Sequence, residues 1–142
     1  DENKEMSELL SENYKRVFSI PKVTLQNPEI ASEFSLTNIN IDISEITKAI
    51  DDIGSNSASG PDDIPAILLK QCKQVLSWPI QILWQKSLDT SDIPQTMKHA
   101  VIFPLAKGGC LTSPSNYRPI SLTSHVVKIF ERVMKGRIVN FS

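Results

Sequence analysis

The chain has 142 residues, 40% of them apolar, with 15 Lys and Arg against 16 Asp and Glu and a formal net charge of −1. That length suits one domain or part of one, and the apolar content is enough to bury a core. Near-neutral charge gives no support for a self-sufficient nucleic-acid binder, and two distant cysteines, Cys72 and Cys110, exclude a disulfide framework or a CxxC zinc site and fit a reducing compartment.

No uncharged apolar run is long enough to span a bilayer. The opening Asp1-Glu2-Asn3 is neither an initiator Met nor a signal peptide, and Ser142 directly follows an apolar helical pattern with no capping signal. Both ends are expected to be cuts in a longer chain.

In chain order, the first segment is helical in pattern, with Met6, Leu9, Leu10, Tyr14, Val17 and Phe18 on one face and Pro21 as its end. From Pro21 to about Asn40 the sequence is polar and aperiodic and reads as a linker. A second helix is expected from Ser44, whose hydroxyl suits an N-cap. Ile46, Ala49, Ile50 and Ile53 are its apolar positions, and Gly54 closes it. Residues 55–61 read as a loop. Pro65 suits the first turn of a third helix, with Leu68, Cys72, Val75 and Leu76 as its stripe. Pro79 then kinks that helix or starts another carrying Ile80, Leu83, Trp84 and Leu88, and Pro94 marks the next break.

After Lys98 the period changes. Residues 99–106 and 117–123 are short, apolar and β-branched around a Gly/Ser/Pro loop, which predicts an antiparallel hairpin. Pro104 and Pro119 favour edge positions. Ser124 is expected to cap a last helix with Val127, Phe130, Met134 and Ile138 on its apolar face. The order of elements gives an α+β class, mostly helical with one hairpin.

Most catalytic constellations are missing. There is no phosphate-cradling glycine motif. His99, expected in a strand, and His125, opening a helix, have no Cys or carboxylate at ligand spacing. Asp62-Asp63 reads as capping and dipole chemistry before a Pro-started helix. Glu45 and Lys48 read as a surface pair, and Lys128, Arg132 and Lys135 as a solvated basic stripe. The hairpin stands apart. Lys107 sits at the mouth of a loop with two glycines, and Arg118 just past its far end. A lysine point charge and an arginine fork near one tip suit a polyphosphate, with glycines letting backbone amides approach the anion. A solvated loop is the bland alternative.

Several stretches resemble the reverse transcriptases of non-LTR retrotransposons. Gly60-Pro61-Asp62-Asp63-Ile64-Pro65 with Leu68-Leu69-Lys70 is similar to their GPDGIP…LLK entry. Ile93-Pro94 with Lys98-His99-Ala100 is similar to their IP…WK.A stretch, and residues 101–109 to their V.PI.KKGD strand. Asn116-Tyr117-Arg118-Pro119-Ile120-Ser121-Leu122 matches their NYRPISL signature. Lys128 and Glu131 fit the helix that follows. The match runs in family order from about Ile41 to the end, and the subgroup it resembles is jockey-like or a related long interspersed element. Asp63 stands where Gly is usual, Met97 where Trp is usual, Ala106 where a basic or bulky residue is common, and Cys110 and Leu111 where Asp and a charged residue often occur.

The resemblance implies a right-hand polymerase, an RNA-directed DNA polymerase and so a nucleotidyltransferase. Residues 1–40 would be a connector and 41–142 the incomplete N-terminal part of the polymerase, its fingers and the start of its palm. Lys107 and Arg118 would bind the triphosphate of an incoming deoxynucleoside triphosphate. Template RNA, primer DNA and the rest of the palm would be the partners, in a ribonucleoprotein of nucleus or cytoplasm with no membrane. The family's catalytic carboxylates lie in a D…AFD strand and a [YF]ADD turn. Neither occurs here, so no catalytic or metal residue is expected, magnesium belongs to the complete enzyme, and the chain alone is expected to be inactive. The rival expectation is a non-enzymatic remnant or helical interaction module.

Overall fold

The computed structural model describes residues 2–18 and 39–141. Helices α1 (Glu2–Val17), α2 (Ile43–Asp51), α3 (Ala66–Gln71) and α4 (Lys73–Thr90) precede a two-stranded sheet of β1 (Ala100–Ala106) and β2 (Tyr117–Thr123), and α5 (His125–Phe141) follows. The class is α+β, mostly helical with one antiparallel hairpin, as the sequence led us to expect. By packing, the chain divides into one unit of Asp1–Leu36 with Ile102–Ile120 and a second of Thr37–Val101 with Ser121–Ser142.

The second unit holds the core. Ile46, Ala49 and Ile50 of α2 and Ile53 beyond it are buried, as their spacing predicts. They meet Ala66 and Leu69 of α3, Ile80 and Trp84 of α4, and Val126, Ile129 and Val133 of α5. Trp84 is fully buried. Its ring stacks on Phe130 at a centroid distance of 4.4 Å, and its Nε1 donates to the Val126 carbonyl at 3.1 Å.

Several expected details differ. The N-cap of α2 is Asp42, two residues before Ser44. Its carboxylate accepts from the Ser44 amide at 2.7 Å, while Glu45 reaches back to the Asp42 amide at 3.0 Å, a capping box that satisfies two orphan donors. The Ser44 bond holds the Asp42 carboxyl below its usual pKa. Gly54 does not close the helix in a left-handed turn, since Asp52 caps it in right-handed geometry. Glu45 pairs not with Lys48 but with Arg137, whose Nη2 and Nε lie 2.7 and 2.9 Å from its two carboxylate oxygens. That fork lowers the Glu45 pKa. Arg137 also donates to the Asn40 carbonyl at 2.7 Å, and Gln85 and Gln81 of α4 grip Ile41 at its amide and carbonyl.

In α3 and α4 the expected stripe is displaced: Leu68 and Val75 are exposed, while Leu69, Ser77 and Ser87 are buried. Pro65 is the N-cap of α3 rather than its first helical residue. Pro79 lies inside one continuous helix. Its missing N–H orphans the carbonyl of exposed Val75, where water can satisfy it. In α5, Ser124 caps as expected, its Oγ accepting from the Val126 amide at 3.1 Å. The buried stripe there is Val126, Ile129 and Val133; Val127, Phe130 and Met134 are half-buried and Ile138 is exposed.

In the first unit, α1 buries Leu10 and Tyr14 but leaves Leu9, Val17 and Phe18 exposed, so its expected apolar face is only partly used. Pro21 and the expected linker lie largely outside the described residues.

Candidate nucleotide-binding hairpin

The Lys107 amide donates to the Asn116 carbonyl at 2.8 Å, and the two strands extend from that pair. Opposite residues are therefore Ala106 and Tyr117, Leu105 and Arg118, Pro104 and Pro119, Phe103 and Ile120. Hydrogen-bonded pairs alternate along an antiparallel ladder, so with Lys107–Asn116 bonded the two prolines fall at a non-bonded pair. Neither missing N–H costs a ladder bond, which is how a hairpin with a proline in each strand survives. The pleat places Phe103, Leu105, Arg118 and Ile120 on one face, and all four are exposed. His99 stands one residue before β1, outside the strand expected to contain it, and is exposed.

The loop at the tip is tied down by the two residues that precede Arg118. Gly108 and Gly109 have φ of 107° and 87°, a left-handed conformation that costs glycine little. Asn116 Nδ2 donates to the Cys110 carbonyl at 2.9 Å, and Tyr117 Oη donates to the Leu111 carbonyl at 2.9 Å. Both ties end on backbone oxygens. The unusual Cys110 and Leu111 side chains thus leave the closure of the loop intact. The Cys110 thiol is exposed and sits 2.9 Å from Thr112 Oγ1, a contact that lowers its pKa.

Lys107 and Arg118 stand at the same end of the hairpin but do not share a contact. The Lys107 ammonium donates to the Ser115 carbonyl at 3.1 Å and is exposed. Arg118 is exposed, and among the described residues its side chain has no hydrogen bond or ion pair. A cleft of about 510 Å³ in the same unit includes neither cation; Met6, Leu10, Tyr14, Phe18, Ile102 and Pro104 make up its apolar lining.

No family model matches the chain. The chain is similar to a transposon polymerase. It is 29% identical over 116 residues to a Drosophila melanogaster protein described as "Probable RNA-directed DNA polymerase from transposon BS", across 81% of this chain and 13% of that protein. The match supports a relation to the reverse transcriptases of transposons, and the chain spans about an eighth of that relative's length.

Two departures from the motifs that the sequence resembles have local explanations. Asp63 has φ of 53°, the left-handed region where glycine is at ease. Asp63→Gly is expected to raise stability by about 0.5–1 kcal/mol, the left-handed strain relieved less glycine's extra chain entropy. A urea melt checks it, and a lower midpoint for the glycine variant would contradict the strain. Met97 is half-buried against the core, so an apolar packing role is kept where tryptophan is usual.

Carboxylates do not gather here. Asp62 accepts from Ser124 Oγ at 2.5 Å and from the Ile64 amide at 3.3 Å, and Asp51 is paired with Lys73 at 2.7 Å. Glu45 is held by Arg137. Among the described residues no group of three His, Cys, Asp or Glu side chains is placed to hold a metal.

Proposed function

We propose that this chain is the fingers and early-palm segment of a jockey-like retrotransposon reverse transcriptase, and that its hairpin tip grips the triphosphate of an incoming deoxynucleotide. Residues 41–142 would belong to the polymerase and 1–40 to the connector before it. One observation carries the reading. Within the run Asn116-Tyr117-Arg118, the first two side chains pin the loop, whereas the third is exposed and unpartnered. A guanidinium that does nothing for its own hairpin is available to a ligand, and its planar fork fits phosphate. Lys107 lies two positions along the opposite strand. The apolar face shared by Leu105, Phe103 and Ile120 suits a base or sugar beside the charged end.

The two magnesium ions of polymerase phosphoryl transfer require clustered carboxylates. The carboxylates described above are engaged elsewhere and do not fit that pair. We therefore assign this chain a role in holding nucleotide, beside template RNA and primer DNA, and expect no primer extension from it alone. No helix among the described residues is long and apolar enough to cross a membrane, and the nucleus or cytoplasm is the proposed location.

The test is steady-state incorporation on an RNA template by a complete relative carrying this segment. Charge-assisted contacts contribute roughly 1.5–3 kcal/mol each, so Lys107→Ala and Arg118→Ala are each expected to lower nucleotide use by about ten- to a hundredfold. Arg118→Lys keeps the charge, loses the fork and should still impair the enzyme. Values within about twofold for both alanine variants, near 0.4 kcal/mol, would remove the triphosphate reading and favour a non-enzymatic remnant with a solvated loop.

A further inference from the structure

Where the loop of residues 54–63 meets the start of α5, a buried histidine lies outside the candidate nucleotide-binding hairpin. His125 is fully buried. Its Nε2 lies 3.5 Å from Ser57 Oγ on the loop, and its Nδ1 has no partner. The same loop touches the helix cap twice more. Asp62 takes the Ser124 hydroxyl, and Gly60 lies so close to the backbone of Thr123 and Ser124 that a Cβ there would overlap it.

We propose that His125 is a proton-operated latch: neutral, it lets the loop of residues 54–63 close over the start of α5, and protonated, it releases the loop. An imidazolium carries two N–H donors and needs acceptors for both. The closed site supplies Ser57 alone, its hydroxyl 3.5 Å from Nε2 and its backbone favouring the protonated ring, and nothing accepts from Nδ1. The start of α5 is also the positive end of a helix, which disfavours a cation there. Two charged groups act on the ring: Lys128, one turn along α5, opposes protonation, and Asp62 on the loop favours it. No charged group of α2 or α4 acts on the ring: Glu45 of α2 is paired with Arg137, and Asp51 of α2 with Lys73 of α4. Asp62 is already bound by Ser124 and the Ile64 amide, so reaching the imidazolium would undo the loop's own ties.

Burial, the largest influence, lowers the His125 pKa below its ordinary value of 6.5. The open form then binds the proton more readily than the closed form. Closure is therefore fully favoured above the ordinary value and is lost as pH falls through the lowered one.

Backbone amide exchange of the whole chain, followed by mass spectrometry and corrected for intrinsic rates, tests the latch between about pH 7.5 and about pH 5, either side of the ordinary histidine range. Peptides covering residues 54–63 should lose protection on acidification while those of α2 and α4 keep theirs. His125→Gln, which cannot titrate in this range, should abolish the pH response, and His99→Gln should leave it unchanged. If His125→Gln does not fold, the imidazole proton resonances of His125 in the unmodified chain provide the check, and their midpoint should coincide with loop opening. A loop whose protection is flat with pH, a loss shared equally by α2 and α4, or a response that persists in His125→Gln would each overturn the proposal.

Discussion

Trp84→Ala is expected to lower the unfolding free energy by about 3–5 kcal/mol, the range for removing a large buried aromatic. Trp84 is fully buried in the core shared by α2, α4 and α5, so its removal leaves a cavity in a core that already has few large side chains. The stacked Phe130 ring loses its partner. The Val126 carbonyl in the first turn of α5 loses the indole N–H. Small domains are stable by only about 5–15 kcal/mol in total, so this one substitution removes a large share. Trp84→Phe keeps a ring against Phe130 and gives up the hydrogen bond, and should cost about 1–2 kcal/mol. Denaturant melts followed by circular dichroism measure both. Trp78, which is 63% exposed, is the natural control: Trp78→Ala should change stability by less than about 0.5 kcal/mol. A Trp84→Ala variant within about 1 kcal/mol of the parent would mean that the tryptophan is not the keystone of this core.

How much of this was legible in the sequence depends on the kind of signal. The hairpin was legible because β-branched runs flank a glycine loop, and its register follows once Lys107 meets Asn116. The buried face of α2 was legible because its isoleucines recur without competing apolar neighbours. In α5 the sequence offers two parallel apolar rows, Val126-Ile129-Val133 and Val127-Phe130-Met134. Only the packed core tells them apart: it buries the first and leaves the second half-buried beside it, with Phe130 stacked on Trp84. The buried serines of α4 were illegible to any hydrophobic pattern. Ser77 and Ser87 are buried because small residues let α4 approach its neighbours closely. Their hydroxyls are satisfied by the Lys73 and Leu83 carbonyls at 2.7 and 3.1 Å, and Ser77 also meets Thr47 of α2 at 3.1 Å.

For the candidate site, the sequence offers two cations near one hairpin tip but not what each of them contacts there. Charge chemistry pointed to Lys107 and Arg118 together. The structure shows the two in different states, Lys107 donating to its own loop and Arg118 unengaged. The loop-pinning roles of Asn116 and Tyr117 require a contact six residues back along the chain, to Cys110 and Leu111, which no local pattern encodes. The capping box of α2 could have been read, since Asp42 and Glu45 stand three apart before an apolar run. The more familiar serine cap two residues later concealed it.

Gly60→Ala is expected to cost about 2–4 kcal/mol. The added methyl would overlap Ser124 N, Ser124 Cα and the Thr123 carbonyl carbon. These are backbone atoms at the junction of β2 and α5 and cannot rotate away as a side-chain tip can. Overpacking of this kind costs about 1–3 kcal/mol. Displacing Ser124 further weakens the cap of α5 and its bond to Asp62, a loss of about 1 kcal/mol for the cap alone. Gly60 has no positive φ, so the effect isolates crowding from backbone strain. Gly54 is the matched comparison: it too has no positive φ, and nothing lies within 4 Å of where its Cβ would be. Gly54→Ala should therefore be neutral or stabilise by about 0.4–1 kcal/mol through the unfolded chain. Paired urea melts of the two variants read the difference directly. Should Gly60→Ala melt within about 0.5 kcal/mol of the parent, the loop of residues 54–63 does not lie against α5 as described, and the latch assigned to His125 would lose its geometric basis as well.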